Sequence, residues 1–425
     1  MTIHVAPPAA SLAARVHRLR SPGGIEAWLI EDHTLPILSM QFGFRGGPVL
    51  DPVDRSGTAR MLGDLLTEGA GPMEGVAFRR ALGDRAIRLS FSIGSDSLRG
   101  ELKTLSRHAE RAFELLGLAL HAPRFAPDDV VRVREALASQ ARAGLTRPDM
   151  AARRAFAARG YAGHPYARPS GGDLASLERI GCEDIVALHG RMLTRGNLRV
   201  AVVGAISPAA LGTALDRAFA ERPHEAVAPT PATRLGGLGD RVVTRLGLPQ
   251  STLQFGRPGI PRTDPDFAAA IVVNQCLGGS DLSSRLFRAV REKRGLCYTV
   301  RSTLQLAEGA CTLVGTTATR NDCAAEALGV IQDEIRRLSR EGAAADEIER
   351  AKGSLLGSSS LRLDTSAAVA SLLLQLQLDG RGPDWLEQRN RQIAAVTPED
   401  GARAAERLLG DGRLLVAVAG DPVDL

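Results

Sequence analysis

Apolar positions along this chain alternate between a spacing of two and a spacing of three to four, and the switches mark its elements. Residues 24–32 read as a first strand and 35–44, with partial alternation, as a second, with Gly46-Gly47-Pro48 and Asp51-Pro52 turning the chain after them. In residues 56–69 the period becomes helical: Leu62, Leu65 and Leu66 form one stripe and Gly69 supplies the stop. A short helix is expected over 76–82 and a strand over 87–93. Leucines at helical spacing predict helix across 98–120, and further helices are expected over 127–145, 149–159 and 182–193. Residues 161–172 are rich in Gly and Pro and read as a loop. The run Leu198 to Gly204 reads as a buried strand, and 208–220 as a closing helix.

Beyond a Pro- and Gly-rich stretch without periodicity, the same order returns. Thr252-Leu253-Gln254-Phe255-Gly256 echoes Met40-Gln41-Phe42-Gly43, and the strand ending at Gly420 echoes the one ending at Gly204. The echoes lie 213 and 216 residues apart, a nearly constant offset that points to an internal duplication. The expected organisation is one half over 1–221, a linker over 222–240 and a second half over 241–425. A chain of 425 residues suits two domains of roughly 200, each able to bury a core.

One stretch concentrates candidate chemistry. After Gly278-Gly279, either Ser280 or Asp281 is suited to cap a helix, and Leu282, Leu286, Phe287 and Val290 then recur on one face. Arg291, Lys293 and Arg294 crowd the last turn, where the helix dipole favours cations, and Gly295 ends it. Residues 296–300 are β-prone. Arg291 is therefore expected at a helix end and Tyr298 on the strand just beyond, a guanidinium and a phenol brought by one turn to a common point. Both are good donors to an oxygen that becomes negative during a reaction.

Composition narrows the function classes. Hydrophobic residues make up 44% and charged ones 24%, an ordinary globular balance. The net charge of +5 is carried by arginine, since Lys103, Lys293 and Lys352 are the only lysines, and the basic residues are scattered among acids. Aromatics at 4% argue against a stacking platform for nucleic acid. Apolar runs such as 267–273 fall far short of a membrane span. Residues 1–24 show no signal-peptide core, so a cytoplasmic location is expected, or a periplasmic one if a leader has been removed. Five cysteines without CxxC spacing indicate reduced thiols.

The run Ser284-Arg285-Leu286-Phe287-Arg288-Ala289-Val290-Arg291-Glu292-Lys293-Arg294-Gly295-Leu296-Cys297-Tyr298 resembles the C-terminal-half motif of the pitrilysin/insulinase peptidases, the inverted-motif zinc proteases. The resemblance implies an α+β fold of two homologous, α/β-sandwich-like halves, each a mostly antiparallel sheet packed against helices. It also implies that Arg291 and Tyr298 face a zinc site and polarise the scissile carbonyl.

Active relatives carry His-x-x-Glu-His on the helix after the first two strands. Its histidines bind zinc from one helix face and its Glu activates water. Register on the Gly57-Thr58-Ala59 lead-in places Arg60 and Asp64 at the histidine positions and Gly63 at the general base. The third ligand's spacing lands at Ser139-Gln140-Ala141, where there is no carboxylate. Arg60 is a fixed cation and Gly63 has no side chain to move a proton. Arg60 and Asp64, four apart, are instead suited to an ion pair. None of the eight histidines shares a helix turn with another, and no nucleophile elbow, Walker motif, HExxH or CxxC occurs. His164-Pro165-Tyr166 resembles a family loop with a structural role. Cys297 stands as a candidate thiol with no His in its half.

The expected function is a catalytically incomplete subunit of a heterodimeric zinc metallopeptidase, inactive alone. It would hold no cofactor of its own, and zinc would sit in a homologous His-x-x-Glu-His partner. It would bind an unfolded or short peptide, with Arg291 and Tyr298 supplied in trans. The alternatives are a structural or peptide-binding pseudo-peptidase without a role in hydrolysis, and a homodimer in place of the mixed pair.

Overall fold

The computed structural model describes residues 11–279, 282–361 and 363–425. Strands β1 (His17–Arg20), β2 (Glu26–Glu31), β3 (Ile37–Arg45), β6 (Arg88–Ile93), β7 (Ser97–Leu105) and β8 (Leu198–Gly204) form the first sheet, while β4 (Gly69–Ala70) and β5 (Met73–Glu74) make a small separate hairpin. Strands β9 (Arg241–Arg245), β10 (Gln250–Pro258), β11 (Cys297–Leu306), β12 (Cys311–Arg320) and β13 (Leu415–Gly420) form the second sheet. The first has the order β1-β2-β8-β3-β7-β6 and the second, read from its far end, β9-β13-β10-β12-β11. With β1 set aside, the topology is the same. The opening strand of each half runs parallel to the closing one (β2 with β8, β9 with β13), and the remaining pairings are antiparallel. This is the expected α+β architecture of two sheet-and-helix halves.

Residues 98–120 depart from the helical expectation. Ser97–Leu105 is strand β7, and the helix starts only at Ala109. Leu98, Leu102 and Leu105 fit a helical face as written, yet Leu98, Gly100, Leu102 and Thr104 also alternate and point one way. The tertiary setting decides between the two readings, because β7 lies between β3 and β6, where its backbone groups are paired on both sides.

A Phe–Gly pair crosses the strands at the same place in both sheets. Phe42 lies opposite Gly100 and Phe255 opposite Gly315. A Cβ on Gly100 would fall 2.0 Å from the Phe42 ring, and one on Gly315 2.1 Å from the Phe255 ring. Each glycine is the space its phenylalanine fills. Phe42 also meets Phe44, Phe91 and Phe219 edge to face, at centroid distances of 6.2, 5.9 and 5.7 Å.

The halves are interlocked by an exchange of helices. The first sheet buries one face against its own helices, and its other face meets Ser366–Leu378 of the second half, where Ala370, Leu373 and Leu374 cover Ile30, Ala201 and Val203. Gln377 Nε2 donates to Val200 O (2.9 Å) and Arg99 donates to Gln375 Oε1 (2.5 Å). In return, Pro148–Gly160 of the first half crosses the second sheet, and its Phe156 packs with Leu235, Leu415 and Ala417. Burial on both faces explains why β13 and residues 200–203 of β8 read as continuous apolar runs. Residues between Ala220 and Arg241, expected as linker, hold no helix or strand. Among the described residues no helix is long and apolar enough to cross a membrane.

Gly100→Ala is expected to cost about 1–3 kcal/mol by overpacking, since Phe42 is fully buried and has nowhere to move. Urea or thermal unfolding checks this, and an unchanged midpoint would contradict the fit.

Candidate functional site

Arg291 stands in a turn wider than the expected α-helix. Phe287–Glu292 forms a π-helix, with Lys293 N–H donating to Arg288 O at 3.0 Å, five residues back. Leu286, Phe287 and Val290 are buried as their spacing predicted, but Leu282, assigned to the same face, is 65% exposed. The expected cap at Ser280 or Asp281 lies outside the described residues. Gly295, with φ +64°, turns the chain, and its N–H closes on Arg291 O at 2.9 Å. β11 then begins on a bulge between Cys297 and Val300, which re-aims the residues between them.

On that bulge Tyr298 is 79% exposed. The Arg291 guanidinium carbon lies 4.9 Å from the Tyr298 ring centre and 4.7 Å from that of Phe287. Two aromatic faces thus hold one cation without using its N–H groups. Among the described residues, neither the Arg291 side chain nor the Tyr298 hydroxyl makes a hydrogen bond or ion pair. The two donors are together, outward-facing and uncommitted. Cys297 beside them is a different case: burial holds its thiol above the ordinary range, against a Thr317 hydrogen bond and the Arg291 charge. It is poorly suited to act as a nucleophile.

The helix Thr58–Leu65 carries the positions aligned with the zinc motif. Its start is tied to Asp51, whose carboxylate accepts from Gly57 N (2.7 Å) and Ala59 N (2.8 Å). Arg60 Nε donates to Asp64 Oδ2 at 2.9 Å, the ion pair expected from the spacing. Gly63 is buried, and a Cβ there would already touch Ile93 at 3.4 Å. Gln140 and Ala141 line the same cleft as Arg60, so the third-ligand position does come near the first. The donor set does not fit zinc: a guanidinium paired with the one carboxylate, an amide, and a glycine with no side chain where the base would stand. Among the described residues no three His, Cys, Asp or Glu side chains gather as a metal site.

That cleft opens between the two halves of the chain, with a volume of about 1330 Å³. Arg60 lines it, whereas Arg291 and Tyr298 do not. The two sequence-derived sites are therefore separate places. The His164–Tyr166 loop acts structurally: His164 Nδ1 accepts from Tyr166 N (3.2 Å), and the Tyr166 hydroxyl donates to Asp96 Oδ1 (2.5 Å) and accepts from Gly309 N (3.0 Å), joining the halves.

The family model described as "Peptidase M16 inactive domain" matches residues 179–355, a span that includes Arg291 and Tyr298. Over 163 residues, 38% of this chain, it is 37% identical to an uncharacterized zinc protease of Streptomyces coelicolor, spanning about a third (35%) of that protein's length. The Non-peptidase homolog YmxG of Helicobacter pylori is 24% identical over 79% of this chain and 78% of its own. The crystal structure of a peptidase M16 inactive domain from Pseudomonas fluorescens superposes with a TM-score of 0.89 at 25% identity, covering 96% of this chain and 98% of that one.

Burial pushes the Asp51 carboxyl up to about 6, against the helix-start N–H bonds and Arg168 that favour its ionised form. A folded-state value above the unfolded one stabilises the fold only while the group is protonated, so this contribution is lost as pH rises from about 4 to about 6. The stability difference between the parent and Asp51→Asn should therefore shrink by roughly 3 kcal/mol across that window and stay flat above it. Unfolding curves at stepped pH check this, and a pH-independent difference would contradict it.

Proposed function

We propose, from the premise that this chain is a member of the peptidase M16 family, that it is the catalytically incomplete subunit of a two-chain metallopeptidase. It binds peptide and lends Arg291 and Tyr298 to a reaction completed by a homologous partner. The observation that carries this reading is an asymmetry between two sites on one chain. At the zinc-motif positions Arg60 is spent on Asp64 and Gly63 has no side chain, whereas Arg291 and Tyr298 hold donors committed to nothing among the described residues. A protein with a purely structural role gains little from stacking an exposed tyrosine on an arginine at the end of a π-helix.

The zinc of the pair belongs to the partner's His-x-x-Glu-His helix, where it supplies an activated water. This chain's share is electrostatic. Arg291 and Tyr298 donate to the scissile carbonyl oxygen and grow stronger as negative charge develops on it. The stack on Phe287 and Tyr298 limits the side-chain freedom that Arg291 loses on binding. The 79% exposure of Tyr298 fits a group completed by a second chain rather than by its own cleft.

Tyr298→Phe separates chemistry from packing, since the ring stays on Arg291 and only the hydroxyl goes. The variant is expected to lower kcat of the assembled pair about 10²-fold with assembly intact, and Arg291→Ala to do at least as much. Steady-state peptide hydrolysis by the co-purified pair measures this. Full turnover in both variants would remove the catalytic role and leave a structural or peptide-binding subunit.

A further inference from the structure

The interdomain cleft has a charge character that differs from the rest of the chain. Its lining holds seven arginines and one carboxylate, Asp149, an excess of +6 where the whole chain carries +5. The remainder of the protein is thus close to neutral, and the basic excess is gathered into one concavity. Residues scattered through the sequence converge here: Arg153 and Arg154 from the exchanged helix Pro148–Gly160, Arg168 from the following loop, and Arg301 from β11.

Three of these charges, those of Arg153, Arg154 and Arg301, have no counter-ion among the described residues. Asp149, the lining acid, is already paired with Arg147 (2.8 Å), which is outside the cleft. Arg60 and Arg262 have Asp64 and Asp379, while Arg168 donates to the carbonyls of Asp51 and Pro52 and lies close enough to the Asp51 carboxyl to favour its ionised form. Like charges gathered in a cleft with low-dielectric walls focus a positive potential that costs folding energy until an anion enters.

The second feature is the wall that carries Arg301. β11 is the edge strand of its sheet, paired on one side only, and its residues 301–306 all line the cleft. Unpaired strand N–H and C=O groups match an extended peptide. With Tyr161, Tyr166 and Trp385 the only aromatics besides Phe156 and Phe267, the lining offers no row of rings on which bases would stack.

We propose that this cleft binds an acidic segment of extended polypeptide, rich in Asp and Glu. This deepens the peptide-binding part of the functional reading and rests on it, but not on the catalytic part. The cleft would thereby set which peptides the subunit retains, selecting against basic ones by repulsion.

The test uses the full chain alone, so that neither a partner nor hydrolysis enters. Fluorescence anisotropy would follow a labelled Glu/Ala peptide, its Lys/Ala counterpart and a single-stranded oligonucleotide, each at stepped salt. The acidic peptide should bind at least about tenfold tighter than the basic one and weaken with salt, and Arg153→Glu with Arg301→Glu should erase the preference. Arg301→Gln, which only removes a charge, should lower affinity severalfold without disturbing thermal unfolding. Equal affinity for both peptides, no binding of either, or tighter binding of the oligonucleotide would overturn the proposal. The outcome is separable from that of Tyr298→Phe, because Tyr298 does not line the cleft.

Discussion

Each half of this protein has a sheet with one face that its own helices do not cover, and the helix that covers it comes from the other half. Ser366–Leu378 lies on β8 and β3, and Pro148–Gly160 lies on β13 and β10. The sheets cannot keep those faces buried if the halves part, so the two cores are obliged to form one body. Glycines at the contact show how close the approach is. A Cβ on Gly43 would meet Leu378 at 3.4 Å, and one on Gly256 would meet Phe156 at 2.8 Å. The cleft is a consequence: the exchanged helices set the spacing of the two sheets, and Arg153 and Arg154 ride on one of them.

The two sites differ in character. Arg60 and Asp64 are both partly exposed, so their pair contributes about 0–1 kcal/mol and is no reason in itself for the sequence to hold these residues. Its effect is chemical. It puts a permanent cation and its counter-ion where histidines would be needed, and Gly63 offers no group to move a proton. Arg291 is the reverse case, a cation positioned by aromatic faces so that its hydrogen-bonding capacity faces outward.

Much of this was legible in the sequence, and the failures have physical causes. The strands at Phe42 and Phe255 and the Arg60–Asp64 pair follow from local pattern, because each depends on neighbours a few residues away, and the nearly constant offset of the strand echoes is read by laying the sequence against itself. β7 was missed since leucines at 98, 102 and 105 satisfy both periods, and only the strands on either side settle which one holds. The π-helix was likewise out of reach, and Leu282 is exposed because it lies in the turn before the helix, which begins only at Arg285. The cationic cleft was hidden most thoroughly. Arg153, Arg154 and Arg301 look scattered along the chain, and only the helix exchange brings them face to face.

The proposed role is to complete a peptidase that this chain cannot run alone. It is tested most directly by recovering the tagged chain from its own cells, identifying what accompanies it by mass, and assaying peptide hydrolysis of the pair and of each chain. The expected result is a homologous chain of similar size carrying His-x-x-Glu-His, with zinc and activity in the pair only. Recovery of this chain alone or as a homodimer, inert towards peptides, would contradict it.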